Sequence, residues 1–188
     1  SDEQQATMIL KDMKEKLEQG HRQIDRLQSR KEMLEEMKQD FQGFYAGVKT
    51  VLKAREEGEL DQIHGAVIEL LDIPERYLIA LETALATQAQ HVVVGNEQAG
   101  RDAIALLKRK NNGRATFLPL DVIKPKNISA HYLNKVSTHP GFVTVANQAP
   151  KTDSAYQLVV DYLLGHTIIA ENLKAANEIA RLVDRRFR

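Results

Sequence analysis

Gly113-Arg114-Ala115-Thr116-Phe117-Leu118-Pro119-Leu120 reads as a buried strand entered through a polar turn, Asn111-Asn112-Gly113. One fixed cation, one hydroxyl and a set of apolar side chains give this stretch no means of performing chemistry. It closes the most regular part of the chain, and the residues before it read as scaffolding for one sheet.

Upstream, Asn96 can cap a helix over residues 97–110 that carries Ala103, Ile104, Leu106 and Leu107 inward. His91-Val92-Val93-Val94 is short and β-branched, as a central strand requires. Pro74 suits the start of a helix reaching about Thr87. Ala66-Val67-Ile68-Glu69-Leu70-Leu71, bounded by Gly65 and Pro74, predicts another strand. Residues 47–57 predict a short helix with Val48, Val51 and Leu52 on one face and Gly58 as its stop. The order is an α/β pattern with at least some parallel pairing.

Downstream, residues 121–150 contain Pro125, Pro140 and Pro150, with the short apolar pieces Val136 and Phe142-Val143-Thr144-Val145 between turns. This predicts a connector and the start of a second, smaller unit. Asp153 can cap a helix that runs through Leu163-Leu164 and ends at Gly165. His166-Thr167-Ile168-Ile169-Ala170 follows as a strand and residues 171–183 as a helix. Strand followed by helix thus occurs twice, over residues 92–110 and 167–183, which suggests two subdomains related by pseudo-symmetry. Phe187-Arg188 predicts the start of a further strand.

Residues 2–40 contain no Pro and a single Gly, Gly20. Leu10, Met13, Leu17, Ile24, Leu27 and Leu34 recur in alternating steps of three and four, with Gly20 and Lys31 at two positions of the same seam. Glu, Lys, Gln and Arg fill most of the rest. A seam this narrow belongs to a coiled coil rather than to a helix lying on a globular core. The arm would be about 60 Å long and needs a second helix, which no other segment of the chain matches. Gln42-Gly43-Phe44 breaks the pattern. The expected division is an arm over 1–42, a first subdomain over 43–120, a connector over 121–152 and a second subdomain over 153–188.

The chain of 188 residues, 43% hydrophobic, can hold one domain of ordinary size with an appendage. Its 26 basic and 26 acidic residues cancel, so any attraction to nucleic acid must come from local patches. The absence of Cys removes disulfides, thiol catalysis and thiolate metal sites, and fits a reducing compartment. No apolar run reaches the length of a membrane span and the polar N-terminus is no signal peptide, so the expected location is cytoplasmic, without membrane contact. A start at Ser1 rather than Met and an abrupt stop at Arg188 are expected of an excised piece.

Gly95-Asn96-Glu97-Gln98-Ala99-Gly100-Arg101-Asp102 has the glycine spacing of a phosphate-binding loop between strand and helix. Arg101 stands where the loop's Lys would be, Asp102 replaces the metal-binding hydroxyl, and Glu97 adds a second anion. An ordinary strand–helix turn is the better reading. The six His are scattered without an i, i+4 pair, so no metal site is assigned. Asp153, Ser154 and His139 offer hydrolase residue types, but no nucleophile elbow surrounds Ser154, and no catalytic residue is assigned.

The basic groups carry more. Lys108, Arg109, Lys110, Arg114, Lys124 and Lys126 form one set, and Arg185, Arg186 and Arg188, with Arg181, form another near the C-terminus. All of these but Arg181 are the DNA-binding candidates, although the helix dipole alone would also favour cations at residues 108–110. No interleaving of aromatic side chains is read among them, so base stacking is not indicated and DNA would be held through phosphates, with strong salt dependence and little sequence preference.

Taken in order, Gly47-Val48-Lys49-Thr50-Val51-Leu52, Ile63-His64-Gly65-Ala66-Val67-Ile68-Glu69-Leu70, His91-Val92-Val93-Val94 and Gly113–Leu120 resemble the hinge domain of bacterial SMC (structural maintenance of chromosomes) proteins. Tyr162-Leu163-Leu164-Gly165-His166-Thr167-Ile168-Ile169 and the helix from Asn172-Leu173 to Ala180-Arg181 continue the likeness, which covers the chain from about Gly43 to its end. The resemblance implies a mixed α/β fold of two subdomains with an N-terminal coiled-coil helix. It implies a homodimer of SMC chains, a returning coiled-coil helix that this chain lacks, and non-specific DNA contact at the chromosome or nucleoid. ATP and Mg²⁺ would serve only at distant head domains, so no cofactor is expected here. The family's pattern continues past Arg186-Phe187-Arg188 into a strand and paired glycines at the dimer interface, so this piece alone is expected to be monomeric or weakly dimeric. Two other readings are a stand-alone DNA-binding module and a small α/β enzyme with a coiled-coil arm.

Overall fold

The computed structural model describes residues 1–39, 41 and 43–188, with side chains described for all of these except 34–39. Two compact units emerge, Ser1–Gly43 and Phe44–Arg188. The first is one helix, α1 (Asp2–Gln39), unbroken across Gly20. Leu10, Met13, Leu17, Ile24 and Leu27 all lie exposed along it, as do Met8, Ile9 and Met33. Leu34 of the expected seam and Gln42 of the expected boundary fall outside the described residues and side chains.

The second unit is built around β2 (Val92–Val94), whose three valines are completely buried. A continuous β-branched run covered on both faces is what a central strand needs. It pairs antiparallel with β1 (Ile63–Ala66) and parallel with β3 (Phe117–Pro119), giving the order β1-β2-β3. The expected strand over residues 113–120 therefore contracts to three residues. Its ladder opens with the Val92 amide donating to the Thr116 carbonyl (2.8 Å) and closes with the Leu120 amide donating to the Val94 carbonyl (2.9 Å).

The strand expected over residues 66–71 is not one. β1 stops at Ala66 and the chain turns into one helical turn, α3 (Val67–Leu70). Glu69 explains the change: its carboxylate accepts from the Ala66 amide at 2.9 Å, as an acidic residue does from the third position of a helix start. Apolar content alone did not separate strand from helix here. The helix expected from Pro74 shortens to α4 (Leu78–Leu85), with 3₁₀ turns at Glu75–Tyr77 and Ala86–Gln90 on either side.

Two helices cover the sheet. α2 (Ala46–Glu56) buries Val48, Val51 and Leu52, and α5 (Glu97–Lys110) buries Ala99, Ala103, Leu106 and Leu107. Ile104, expected inward, is 42% exposed. At 100° per residue the i, i+4, i+7, i+8 stripe from Ala99 leaves position 104 on its flank.

Residues 121–152, expected as a connector, contribute α6 (Ala130–Ser137) and β4 (Phe142–Val145). β4 pairs antiparallel with β5 (Ile168–Ala170) in a second sheet. α7 (Gln157–Leu164) precedes β5 and α8 (Leu173–Leu182) follows it. Asp153 does not cap with its side chain: a 3₁₀ turn, Ser154–Tyr156, intervenes before α7. Beside β5, the Arg188 amide donates to the His166 carbonyl (3.0 Å) and its carbonyl accepts from the Ile168 amide (2.5 Å). That is the bonding of a parallel bridge, as expected for a strand beginning at Phe187-Arg188.

The two sheets share a core. Leu81 and Leu85 pack with Ala146, Ala149, Val160, Leu164 and Ile169, while Val67, Val93 and Leu118 pack with Val159. Polar links cross the same boundary. His64 Nδ1 and the Tyr156 hydroxyl lie 2.8 Å apart, and Thr152 Oγ1 donates to the Leu70 carbonyl at 2.7 Å. Asp72 and Lys151 exchange two backbone hydrogen bonds. A third cluster, Val136, Ile179 and Val183, seats Tyr132 and Phe187 on the second sheet's side.

Candidate functional site

The turn after β2 makes no phosphate cradle. Asn96 Oδ1 accepts from the Ala99 amide at 2.8 Å, capping α5, and the Gly95 amide donates to the Gln62 carbonyl. The Gln62 side chain fills the space a Cβ at Gly95 would enter, so the loop's mouth is occupied by protein. Arg101 pairs with Glu97 at 3.4 Å and Asp102 accepts from Gln98 at 2.9 Å, which turns the would-be phosphate ligands onto their own helix. A phosphate there would face two carboxylates.

The imagined hydrolytic set is also dispersed in its bonding. His139 Nε2 meets Glu178 at 2.7 Å, and its Nδ1 accepts from the Gly141 amide. An acceptor Nδ1 places the proton on Nε2, facing the carboxylate. Among the described residues, no three His, Asp or Glu side chains group to hold a metal ion. No described helix is long and apolar enough to cross a membrane.

The nine DNA-binding candidates are all exposed but fall into separate places. Lys108, Arg109 and Lys110 end α5, where Asn111 adopts a left-handed conformation (φ 47°) and caps with its amide on Leu107 and Lys108 carbonyls. Asn112 Nδ2 then donates to Thr50 Oγ1 at 2.7 Å, tying the turn to α2. This geometry brings Lys108 and Arg114 to one groove of about 430 Å³, floored by Ile104 and Leu107. Lys110 instead pairs with Glu59 at 3.3 Å. Lys126 lies over the Tyr162 ring, 5.0 Å from its centre, and Lys124 stands in the same loop.

Around the C-terminal arginines, two residues join that sequence reasoning missed. Arg186 lies 5.3 Å from the centre of the Tyr132 ring, and Lys135 lies 5.7 Å from it. Phe187 meets the same ring edge-on at 5.5 Å. The expectation that no aromatic residue accompanies these cations fails: Phe187 stands between Arg186 and Arg188 in the sequence, and Tyr132 joins them in space. The i, i+3 spacing of Tyr132 and Lys135 on a helix was the signal available.

Comparison with known proteins follows these contours. The "Chromosome partition protein Smc" of Bacillus subtilis is 45% identical over 172 residues, 92% of this chain and 14% of that protein. The protein of the same name from Halothermothrix orenii is 36% identical over 156 residues, 83% of this chain and 13% of that one. The chain thus spans about a seventh of the length of these relatives. A crystal structure described as an asymmetric dimer of the Geobacillus stearothermophilus SMC hinge domain superposes with a TM-score of 0.83 at 48% identity, over 87% of this chain and 64% of that one. The Pyrococcus furiosus SMC hinge domain matches with a TM-score of 0.60 at 28% identity, over 74% of this chain and 70% of that one. Residues 60–180 match the family model of the SMC proteins flexible hinge domain, and the chain belongs to that family.

Proposed function

We propose that this chain is the hinge through which two copies of a bacterial chromosome-partition protein join, in the cytoplasm and at the nucleoid, and that it makes auxiliary contact with DNA phosphates. The observation that carries the joining role is the pair of short sheets with open borders. Among the described residues, β3 has a strand partner on one side only, and β5 receives a single bridging residue, Arg188, on the side away from β4. Unpaired strand edges are templates for another chain, and the Geobacillus hinge at 48% identity is described as a dimer. ATP hydrolysis by the parent protein belongs to head domains outside this chain.

The DNA contact rests on Lys108 and Arg114, which share a groove and, among the described residues, face no carboxylate. Static light scattering over a concentration series tests the joining role on residues 44–188, alone and within the longer protein. A dimer in the longer protein that survives removal of the arm supports it; a monomer in both refutes it. Electrophoretic shifts of a DNA duplex at two salt concentrations test the second role, and binding insensitive to salt would refute phosphate contact.

A further inference from the structure

Lys135 and Arg186 converge on the same tyrosine ring from different elements, α6 and the segment after α8. Both are exposed, and among the described residues neither forms an ion pair. Their support is firm: Tyr132 and Phe187 are half-buried and pack on Val136, Ile179 and Val183. Two imidazoles border the aromatic base, His131 against Tyr132 (5.2 Å between ring centres) and His166 against Phe187 (5.4 Å). Of the acids on these elements, Glu178 of α8 is engaged by His139, and Asp184, two residues before Arg186, forms no ion pair with either cation among the described residues.

Such an arrangement is unusual for a solvated charge pair. A surface lysine and arginine normally spread apart, because like charges repel and their long side chains gain entropy in water. Here the Tyr132 ring attracts both cations, at 5.7 and 5.3 Å from its centre, which limits their freedom and keeps both beside one aromatic ring. An anion arriving at this face finds its cations already gathered, so little ordering remains to oppose binding.

We propose that Tyr132, Lys135 and Arg186 form a phosphate-binding face on the second sheet's side, separate from the groove of Lys108 and Arg114, and that its ligand is the phosphodiester backbone of nucleic acid. This rests on the reading of the chain as a DNA-contacting hinge. Cations cover the ring, so the face grips phosphates and does not stack bases.

The test is fluorescence anisotropy with a labelled mixed-sequence duplex and the whole 188-residue chain, across a series of salt concentrations. K135Q/R186Q should lower the slope of log affinity against log salt by about one unit per cation and weaken binding roughly tenfold at low salt. R186K, which keeps the charge, should retain the slope. K108Q/R114Q should lower the slope independently, and combining the two pairs should be additive. Unchanged melting temperatures identify a loss of contact rather than of fold. If the parent chain binds and K135Q/R186Q binds with the same slope, this face is not a phosphate site while the DNA-contacting reading stands. If the parent chain binds no duplex at any salt, both fail together.

Discussion

The backbone of Arg114 passes so close to Gly47 that a Cβ on Gly47 would overlap the Arg114 carbonyl and amide. Gly113, at φ +94°, makes the matching approach from the other side, against the Gly47 amide. The first turn of α2 is thus the platform over which the chain enters β3. Gly47→Ala should destabilise residues 44–188 by about 1–3 kcal/mol, because neither backbone can retreat. Gly20→Ala, where a Cβ meets nothing within 4 Å, should instead favour α1 by about 0.5–1 kcal/mol. Urea unfolding followed by circular dichroism measures both, and equal tolerance at the two positions would contradict the close approach.

Asn96 and Asn172 occupy equivalent places in the two strand–helix units, and each accepts from the amide three residues on at 2.8 Å. Replacing either with Ala should cost about 1 kcal/mol. Asp153→Ala should cost far less, since that carboxylate makes no cap bond. A denaturation series on the three variants checks the ranking, and a costly Asp153→Ala would overturn it.

Much of this fold was legible wherever a local rule and the tertiary environment agreed. The buried valines of β2, the Asn96 cap and the exposed seam of α1 follow from periodicity and side-chain chemistry alone. Residues 66–71 were misread because a short apolar run suits a strand or a buried helical turn equally, and Glu69 decides between them. Residues 121–152 read as a connector because their prolines mark boundaries, while β4 draws its stability from β5, more than twenty residues away. The candidate site divides in the same manner. Lys108 to Arg114 is a contiguous sequence feature, whereas Lys135 and Arg186 meet only through the ring of Tyr132.

His91 introduces a pH dependence of known sign. Its Nδ1 is buried without a hydrogen-bond partner, and burial holds the imidazole below its ordinary value of 6.5. The unfolded chain therefore takes up a proton before the folded one does. Stability from the neutral ring is complete above about pH 6.5 and is lost as pH falls toward the lowered folded value. Melting temperatures from pH 7.5 to 5 should fall less steeply for His91→Gln than for the parent chain. Parallel curves would show that His91 stays uncharged in both states or charges equally in both.

Helix α1 carries its apolar seam into solvent, with Leu17 64% and Ile24 59% exposed. A narrow stripe of this kind associates with another helix when one is available, each a and d side chain filling a hole on its partner. The whole chain should therefore show concentration-dependent association beyond that of residues 44–188. Leu17→Gln with Ile24→Gln should abolish the excess and leave the unfolding of residues 44–188 unchanged, because the two segments form separate compact units. Sedimentation equilibrium on the three proteins decides the matter. Excess association that persists in the double variant would assign it to another surface and remove the seam from the account.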